Sequence, residues 1–148
     1  MQQDLLKEFE KQFEDPIAPM VSRFLNFIID LFLVNIILVI VWVFILISES
    51  VTLTNSGEPD NATFYGITLF VYISYYTLLE ASFGGRTFGK MITRTKAVTI
   101  EGSELTLIDC FKRSLVRLIP LEFVSIFFDE NEMWHDKWTG TKVVKPKN

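Results

Sequence analysis

The sequence predicts an all-α membrane protein with two full transmembrane helices, a third helical segment that is interfacial or re-entrant, and a small two-stranded β element at the cytoplasmic face. Three observations support this fold class. The chain of 148 residues is 49% hydrophobic, and its mean hydropathy is +0.31. Its apolar residues are concentrated in long blocks, as in integral membrane proteins. A third apolar block is broken by charges and a proline, so it lacks the composition of a complete span.

Composition also excludes several classes of function. The net charge of −4 argues against nucleic-acid binding, for which a basic face would be expected. The single cysteine, Cys110, excludes an internal disulfide and a cysteine-based metal cluster, and we expect it to be an apolar filler. The sequence contains no Ser/His/Asp order, no metal-ligand spacing and no phosphate-binding glycine loop. We therefore expect a protein without catalytic activity, resident metal or cofactor.

Residues 1–17 are predicted to form an N-terminal amphipathic helix, separate from a membrane domain over residues 18–148. Apolar residues recur at helical spacing within residues 2–14, and charged residues occupy the other faces. Pro16 and Pro19 end this helix. The alternative is a frayed N-terminal tail. The segment is too polar and acidic for a cleavable signal peptide, so we interpret the first apolar block as a retained span.

Two apolar blocks are long enough to cross the hydrocarbon core. They run from about Arg23 to Ile47 and from about Phe64 to Phe83. The loop between them, residues 49–63, contains no Lys or Arg, so the positive-inside rule places it outside and both termini in the cytoplasm. The basic residues that follow the second span are Arg86, Lys90, Arg94 and Lys96. The aromatic residues predicted to form an interfacial belt on that span are Tyr65, Tyr75, Tyr76 and Phe83.

Residues 107–128 form the third block, and the sequence leaves open whether they cross the membrane. A helix is predicted after Ser103, a candidate N-cap, and Pro120 interrupts it. Each charge at mid-membrane would cost about 2.5–3.5 kcal/mol. We therefore favour an interfacial helix, a bend at Pro120 and a short re-entrant segment. The charged residues in the block are Asp109, Lys112, Arg113, Arg117 and Glu122.

Shorter elements are predicted on either side of this block. Thr87–Ile92 follows a glycine turn and is predicted to be a turn of helix. Lys96–Ile100 and Lys142–Lys145 are strand-like runs on the same side of the membrane. We expect them to pair as a two-stranded sheet, which must pack on the helix ends because isolated hairpins are marginally stable in water.

The acids inside the apolar blocks are the candidate functional residues. Asp30 lies about a third of the way into the first span, and Glu80 lies near the cytoplasmic end of the second. A carboxylate exposed to lipid is unfavourable, so each acid should face protein or a water-filled crevice. One interpretation is a structural network that fixes how the helices pack. The other is that the acids line an ion or proton path.

An arginine is the predicted partner of Asp30. Arg23 lies on nearly the same helix face but about 10 Å away along the axis. Arg113 or Arg117 is therefore preferred, because the third helix brings its side chains from another direction. Arg86 is a further candidate.

An ordered series of motifs resembles the RDD family of small membrane proteins, which is named for one arginine and two aspartates. The series consists of an arginine that opens the first span with an aspartate after it, the turn GGRTFGK, an arginine-bearing helix and the ending WHDKWTGTKVV. The resemblance covers about residues 18–145. The positions that match the named triad are Arg23, Asp30 and Asp136.

The resemblance implies a membrane domain for which transport is the usual assignment, some members being described as cation/proton antiporters. It also brings Asp136 toward the interface where Arg23 lies. The expected intramembrane charged network is Arg23, Asp30, Glu80, Arg113, Arg117 and Asp136. The candidates for proton titration are Asp30, Glu80 and His135.

Two functions are consistent with these features. The first is transport of a monovalent cation or proton by a homo-oligomer or with another membrane subunit, since two spans of one chain cannot enclose a path. The second is a non-catalytic adaptor whose cytoplasmic face docks partners. The surroundings of Asp30 and Glu80 discriminate between the two functions. A transport path requires that both carboxylates meet water in a continuous crevice, whereas an adaptor requires that arginine pairs seal them from water. We expect a multi-pass protein of the plasma (inner) membrane, embedded in the lipid bilayer.

Overall fold

A computed structural model describes residues 15–52, 61–119 and 134–146. This part of the chain is mostly helical, with one small sheet. The elements are α1 (Met20–Thr52), α2 (Asn61–Ser82), α3 (Phe88–Ile92), β1 (Lys96–Thr99), α4 (Leu107–Val116), α5 (Trp134–Thr139) and β2 (Thr141–Val144). The predicted N-terminal helix over residues 2–14 lies outside the described residues, as do Pro120 and the predicted re-entrant segment after it.

The two long helices pack side by side in opposite directions. The Trp42 ring of α1 stacks on Phe64 at the start of α2, with 4.6 Å between the ring centroids. Further along, Asp30 of α1 accepts a hydrogen bond from Tyr75 of α2. A small core between them contains Val34. We call the end formed by the start of α1 and the end of α2 the polar end, because the charged side chains gather there.

Most of the apolar surface of α1 and α2 is not covered by the described chain. Phe44 and Phe70, for example, are each 72% exposed. Both helices are long and apolar enough to cross a membrane. A core helix of a soluble protein would be mostly buried, and these two are not. The two apolar helices predicted from the sequence are therefore present, and α1 extends past the predicted Arg23–Ile47 at both ends.

The predicted helix of the third block is α4, but its start differs from the prediction. Thr106, not Ser103, is the N-cap: its hydroxyl accepts from the Asp109 N–H, and the Asp109 carboxylate accepts from the Thr106 N–H. Ser103 instead donates its N–H to Thr99 Oγ1 and closes the turn after β1. The helix ends at Val116, before Pro120.

α4 runs along α2 in the opposite direction. Arg113 contacts Glu80, while the next residue, Ser114, accepts a hydrogen bond of 2.9 Å from Thr77. Later residues of α4 thus meet earlier residues of α2. The end of α4 therefore points back along the apolar helix α2, and the predicted interfacial position of α4 stays a prediction.

The predicted sheet is confirmed, with β2 beginning one position before the predicted run. β1 and β2 are antiparallel, and Lys96 is opposite Val144. The chain before α1 extends the sheet, because Ile17 forms a bridge to Val144 and the Ala18 N–H donates to the Val143 carbonyl at 2.9 Å. Residues 16–18 therefore pack with the sheet, so the predicted division between residues 17 and 18 falls within this packed segment.

Candidate functional site

Asp30 is buried and holds the short helix α3 against α1. Its Oδ1 accepts from Tyr75 Oη at 3.0 Å and from the Gly89 N–H at 2.9 Å. Its Oδ2 accepts from Thr87 Oγ1 at 2.5 Å. The carboxylate therefore receives three hydrogen bonds from neutral donors, one from α2 and two from the start of α3. Because Gly89 lies in the first turn of α3, Asp30 also satisfies a backbone donor that has no partner within that helix.

The GGRTFGK turn explains how α3 comes so close to α1. Thr87 is the N-cap of α3, and it accepts from the Lys90 N–H while donating to Asp30. Gly89 packs directly on the α1 backbone, since a Cβ there would lie 2.5 Å from the Asn26 carbonyl oxygen. A side chain at this position would separate α3 from Asp30. The third glycine of the motif, Gly89, therefore serves close approach, and the threonine serves capping.

Asn26 fixes the other end of α3. Its Nδ2 donates to Thr95 Oγ1 at 3.0 Å, and its Oδ1 accepts from Thr93 Oγ1 at 2.5 Å. Both threonines follow α3 and lead into β1. α1 thus contacts α3 and the chain after it through side chains one turn apart, Asn26 and Asp30.

Glu80 is enclosed by three basic side chains. Its Oε1 lies 2.6 Å from Lys90 Nζ and 3.2 Å from Arg117 Nη2. Its Oε2 lies 2.9 Å from Arg113 Nε. The side chains of Glu80 and Arg113 are fully buried, and those of Lys90 and Arg117 nearly so. Buried charges require this degree of compensation, because an unpaired one costs several kcal/mol.

Arg113 extends this cluster to the C-terminal segment. Its Nη1 contacts Asp136 Oδ1 at 2.5 Å and also donates to the hydroxyl of Thr141. Thr141 in turn donates to Asp136 at 3.3 Å. We call Glu80, Lys90, Arg113, Arg117 and Asp136 the Glu80 cluster. It joins α2, α3, α4 and α5 through one buried arginine and its neighbours.

Arg117 completes the cluster on the side of α5. Its guanidinium lies over the Tyr76 ring, 4.7 Å from the centroid, and its Nη2 lies 2.9 Å from His135 Nε2. The same His135 Nε2 lies 3.4 Å from Asp136 Oδ1, so it accepts from Arg117 when the imidazole is neutral and pairs with Asp136 when the imidazole is protonated. His135 is 1% exposed, so its place is in the buried network and not at the surface.

The groups outside the long helices have pKa values set by burial and by their neighbours. Burial lowers the pKa of Lys90, and the opposing effect of Glu80 does not fully offset it. For Asp136, burial favours the neutral form, but the positive charges of His135 and Arg113 outweigh it and hold its pKa at about 2. Burial lowers the pKa of Arg113, but the negative charges of Glu80 and Asp136 outweigh this effect and raise that pKa above its ordinary value.

A narrow crevice of about 10 Å³ lies between the Asp30 contacts and the Glu80 cluster. Asp30 and Asn26 form part of its wall. The basic and imidazole side chains that line it are Arg23, Lys90, Arg117 and His135. Arg23, the opening residue of the predicted triad, is buried and reaches the site through this crevice.

The structure brings the predicted residues to one end of the molecule but pairs them differently. Arg113, predicted as a partner of Asp30, binds Glu80 and Asp136 instead. Arg117 binds Glu80 and His135. Arg86 is exposed, on the outside of the turn. The prediction of an Asp30–arginine pair is therefore wrong for Arg113 and Arg86, and the hydrogen bonds to Asp30 within the described residues come from neutral groups.

Several site residues were not identified from the sequence. Tyr75 and Tyr76 were assigned to an interfacial belt, but they are 7% and 0% exposed and face the site. Lys90 was assigned to the basic topology signal and to the GGRTFGK motif but not to Glu80, although it forms the shortest contact of Glu80. Thr87 could have been found, because a threonine just before an apolar turn is an N-cap signal.

No group of three or more His, Cys, Asp or Glu side chains that could hold a metal ion occurs within the described residues. The acids of the site are matched by arginine, lysine and hydroxyl groups, which compete with a cation for the same oxygens.

A comparison with known families gives one match that covers most of the chain. A family model described as the RDD family matches residues 17–140, a range that contains all three triad positions. The resemblance seen in the sequence is thereby confirmed. Neither curated proteins nor solved structures gave a significant match.

Proposed function

The chain belongs to the RDD family, and from this premise we propose that it is a non-catalytic membrane scaffold whose polar end forms a rigid platform for docking partner proteins. One observation carries the proposal: both membrane-level acids are enclosed by donors of the chain itself. Asp30 receives three hydrogen bonds, and Glu80 contacts three cations. An acid that takes up and releases an ion must exchange its partners, and exchange here would leave buried groups unpaired.

The position of the charges supports a defined placement in the membrane. Residues 31–47 of α1 contain no charged side chain and span about 25 Å as a helix, close to the hydrocarbon thickness. Asn35 within this stretch is satisfied by the Leu31 carbonyl of its own helix. The polar end would then lie at the cytoplasmic boundary of the plasma membrane, because the basic residues follow α2. Both termini would lie in the cytoplasm.

The Glu80 cluster supports the rigidity that a platform requires. Glu80 is near the end of α2, and its three cations come from α3 and α4. Arg113 adds Asp136 of α5. Movement of any of these elements away from α2 would separate a buried ion pair. α3, α4 and α5 would therefore move as one unit with the membrane helices.

Ion or proton transport is the second candidate function, and the crevice favours it. Asp30 forms part of the wall of a narrow space of about 10 Å³ that Lys90 and His135 also line. Such a space has room for about one water molecule beside this acid. A path through the bilayer would additionally require a homo-oligomer or another membrane subunit, because two apolar helices cannot surround a pore.

Ion flux in liposomes that contain the purified protein separates the two functions. Wild type should be compared with Asp30→Asn and with Glu104→Gln, which removes an exposed carboxylate outside the site. The scaffold proposal predicts that proton and monovalent-cation flux through wild-type liposomes equals that of protein-free liposomes. Flux that wild type and Glu104→Gln support, and that folded Asp30→Asn loses, would establish transport and reject the scaffold.

A further inference from the structure

An open basin of about 160 Å³ lies beside α3, outside the site described above. Its lining residues are Arg86, Lys90, Met91, Arg94 and Pro146. Arg86 and Arg94 are exposed, one on each side of α3. Over residues 15–52, 61–119 and 134–146, no carboxylate pairs with either arginine. The Lys90 ammonium is directed to Glu80, so Lys90 contributes mainly its stem to the basin.

The backbone at Arg94 is unusual for an arginine. Its φ is +57°, and it is the one non-glycine residue with positive φ in the described chain. Glycine adopts this conformation freely, whereas a side chain with a Cβ is strained there. The positive φ belongs to the Schellman motif that ends α3, in which the Thr95 N–H donates to the Lys90 carbonyl and the Arg94 N–H to the Met91 carbonyl. Glycine is the usual residue at this position, and here an arginine occupies it. That side chain lines the basin together with Arg86.

The outer surface of α3 is apolar. Phe88 and Ile92 are 44% and 68% exposed, and they lie one turn apart on the same face. α3 also packs on α1 at Asn26, one turn before Asp30. In the membrane placement proposed above, this is the level of the lipid headgroups. A short helix with exposed apolar residues and flanking arginines has the character of an interfacial membrane element.

We propose that this basin binds the phosphate group of an anionic phospholipid. Arg86 and Arg94 would hold the phosphate oxygens from two sides, since guanidinium groups bind phosphate in bidentate geometry. The part of the lipid's acyl chains nearest the headgroup would contact Phe88 and Ile92. The inference rests on the proposed membrane placement and is independent of whether the protein is a scaffold or a transporter.

Thermal unfolding of the full chain in detergent micelles, with added lipid, tests the site. Phosphatidylglycerol should raise the unfolding midpoint of wild type by about 4 °C or more, and phosphatidylcholine should not. The double variant Arg86→Gln/Arg94→Gln should lose most of this rise. Lys112→Gln, which removes an exposed cation of α4 that does not line the basin, should respond like wild type.

Arg94→Gly separates lipid binding from a structural role. Glycine relieves the strained φ, so the midpoint without lipid should be unchanged or higher, while the response to phosphatidylglycerol falls. A purely structural arginine would give the opposite pattern: a lower midpoint without lipid and an unchanged response. That pattern, or a wild-type response in the double variant, would overturn the proposal. A full response of wild type to inorganic phosphate or to phosphatidylcholine would also overturn it, because the ligand would not be an anionic lipid.

Discussion

At the scale of single residues, Asp30 is stabilised by geometry and not by an opposite charge. Its two oxygens face three donors, and two of these belong to α3. An asparagine would keep one acceptor oxygen but would direct an NH₂ group at donors. A carboxylate suits this position because both of its oxygens can accept hydrogen bonds, which an amide cannot offer.

We therefore expect Asp30→Asn to destabilise the fold by about 2–4 kcal/mol, the range for unsatisfied buried donors together with a lost charge-assisted bond. Thermal or chemical unfolding in detergent measures the change. Asn35→Leu is the matched control on the same helix, because Asn35 bonds only to its own turn within the described residues, and it should be nearly neutral. If Asp30→Asn is as stable as wild type, the three hydrogen bonds do not hold α3.

Gly89 is the second residue whose identity follows from packing. Gly89→Ala would place a Cβ 2.5 Å from the Asn26 carbonyl oxygen, and backbone on both sides would have to move. We expect a loss of about 3 kcal/mol or more in unfolding free energy. Gly66→Ala in α2 meets nothing within 4 Å and should stabilise by about 0.5–1 kcal/mol. Similar stabilities for the two variants would contradict the close approach of α3 to α1.

At the scale of elements, α4 depends on its capping box. Thr106→Ala removes the hydroxyl that accepts from the Asp109 N–H and should cost about 1 kcal/mol, whereas Thr106→Ser should retain most of the stability. Hydrogen exchange of the first-turn amides of α4 measures this locally. Equal exchange in the alanine and serine variants would exclude the cap.

The elements that the sequence predicted best are those with a local signal. The two apolar helices and the strand pair follow from composition and alternation, and they appear nearly where expected. The pairing of charges has no local signal. Asp30 and its donor Thr87 are far apart in sequence, and an arginine is the default partner of a buried acid. The close backbone contact at Gly89, which only the structure shows, brings neutral donors and not an arginine within hydrogen-bonding distance of Asp30.

The N-cap of α4 was also predicted at the wrong residue because the deciding contact is not visible in the local sequence. Ser103 and Thr106 are both good N-cap residues, and both precede the apolar pattern. The choice is made by the turn after β1, which uses Ser103 to bond Thr99. An aspartate three residues after Thr106 indicates a capping box that begins at Thr106. In the sequence, Asp109 was interpreted only as a charge that argues against membrane insertion.

At the scale of the whole molecule, the Glu80 cluster makes stability depend on acid pH. The pKa of Asp136 is about 2 in the folded protein, against 3.8 as its ordinary value. The unfolded chain therefore binds the proton first as pH falls. The stabilisation, about 2 kcal/mol, is fully present above about pH 4 and is lost as pH falls toward 2.

Unfolding of wild type and Asp136→Asn between pH 5 and pH 2.5 measures this dependence. The variant should be less stable at pH 5, and its stability should fall less steeply with acid. Parallel curves for the two proteins would mean that Asp136 is not the group that titrates.

The central claim is that the Glu80 cluster fixes α4 against α2, and the thiol of Cys110 tests it most directly. Cys110 is fully buried in α4, and burial raises its pKa to about 11, so it should react slowly with a maleimide in isolated membranes. Glu80→Gln weakens three ion pairs and should raise the labelling rate by about tenfold or more, since each 1.4 kcal/mol of lost local stability increases opening tenfold. Glu104→Gln should label as slowly as wild type. Slow labelling of both variants would contradict the claim, because α4 would then stay in place without the cluster.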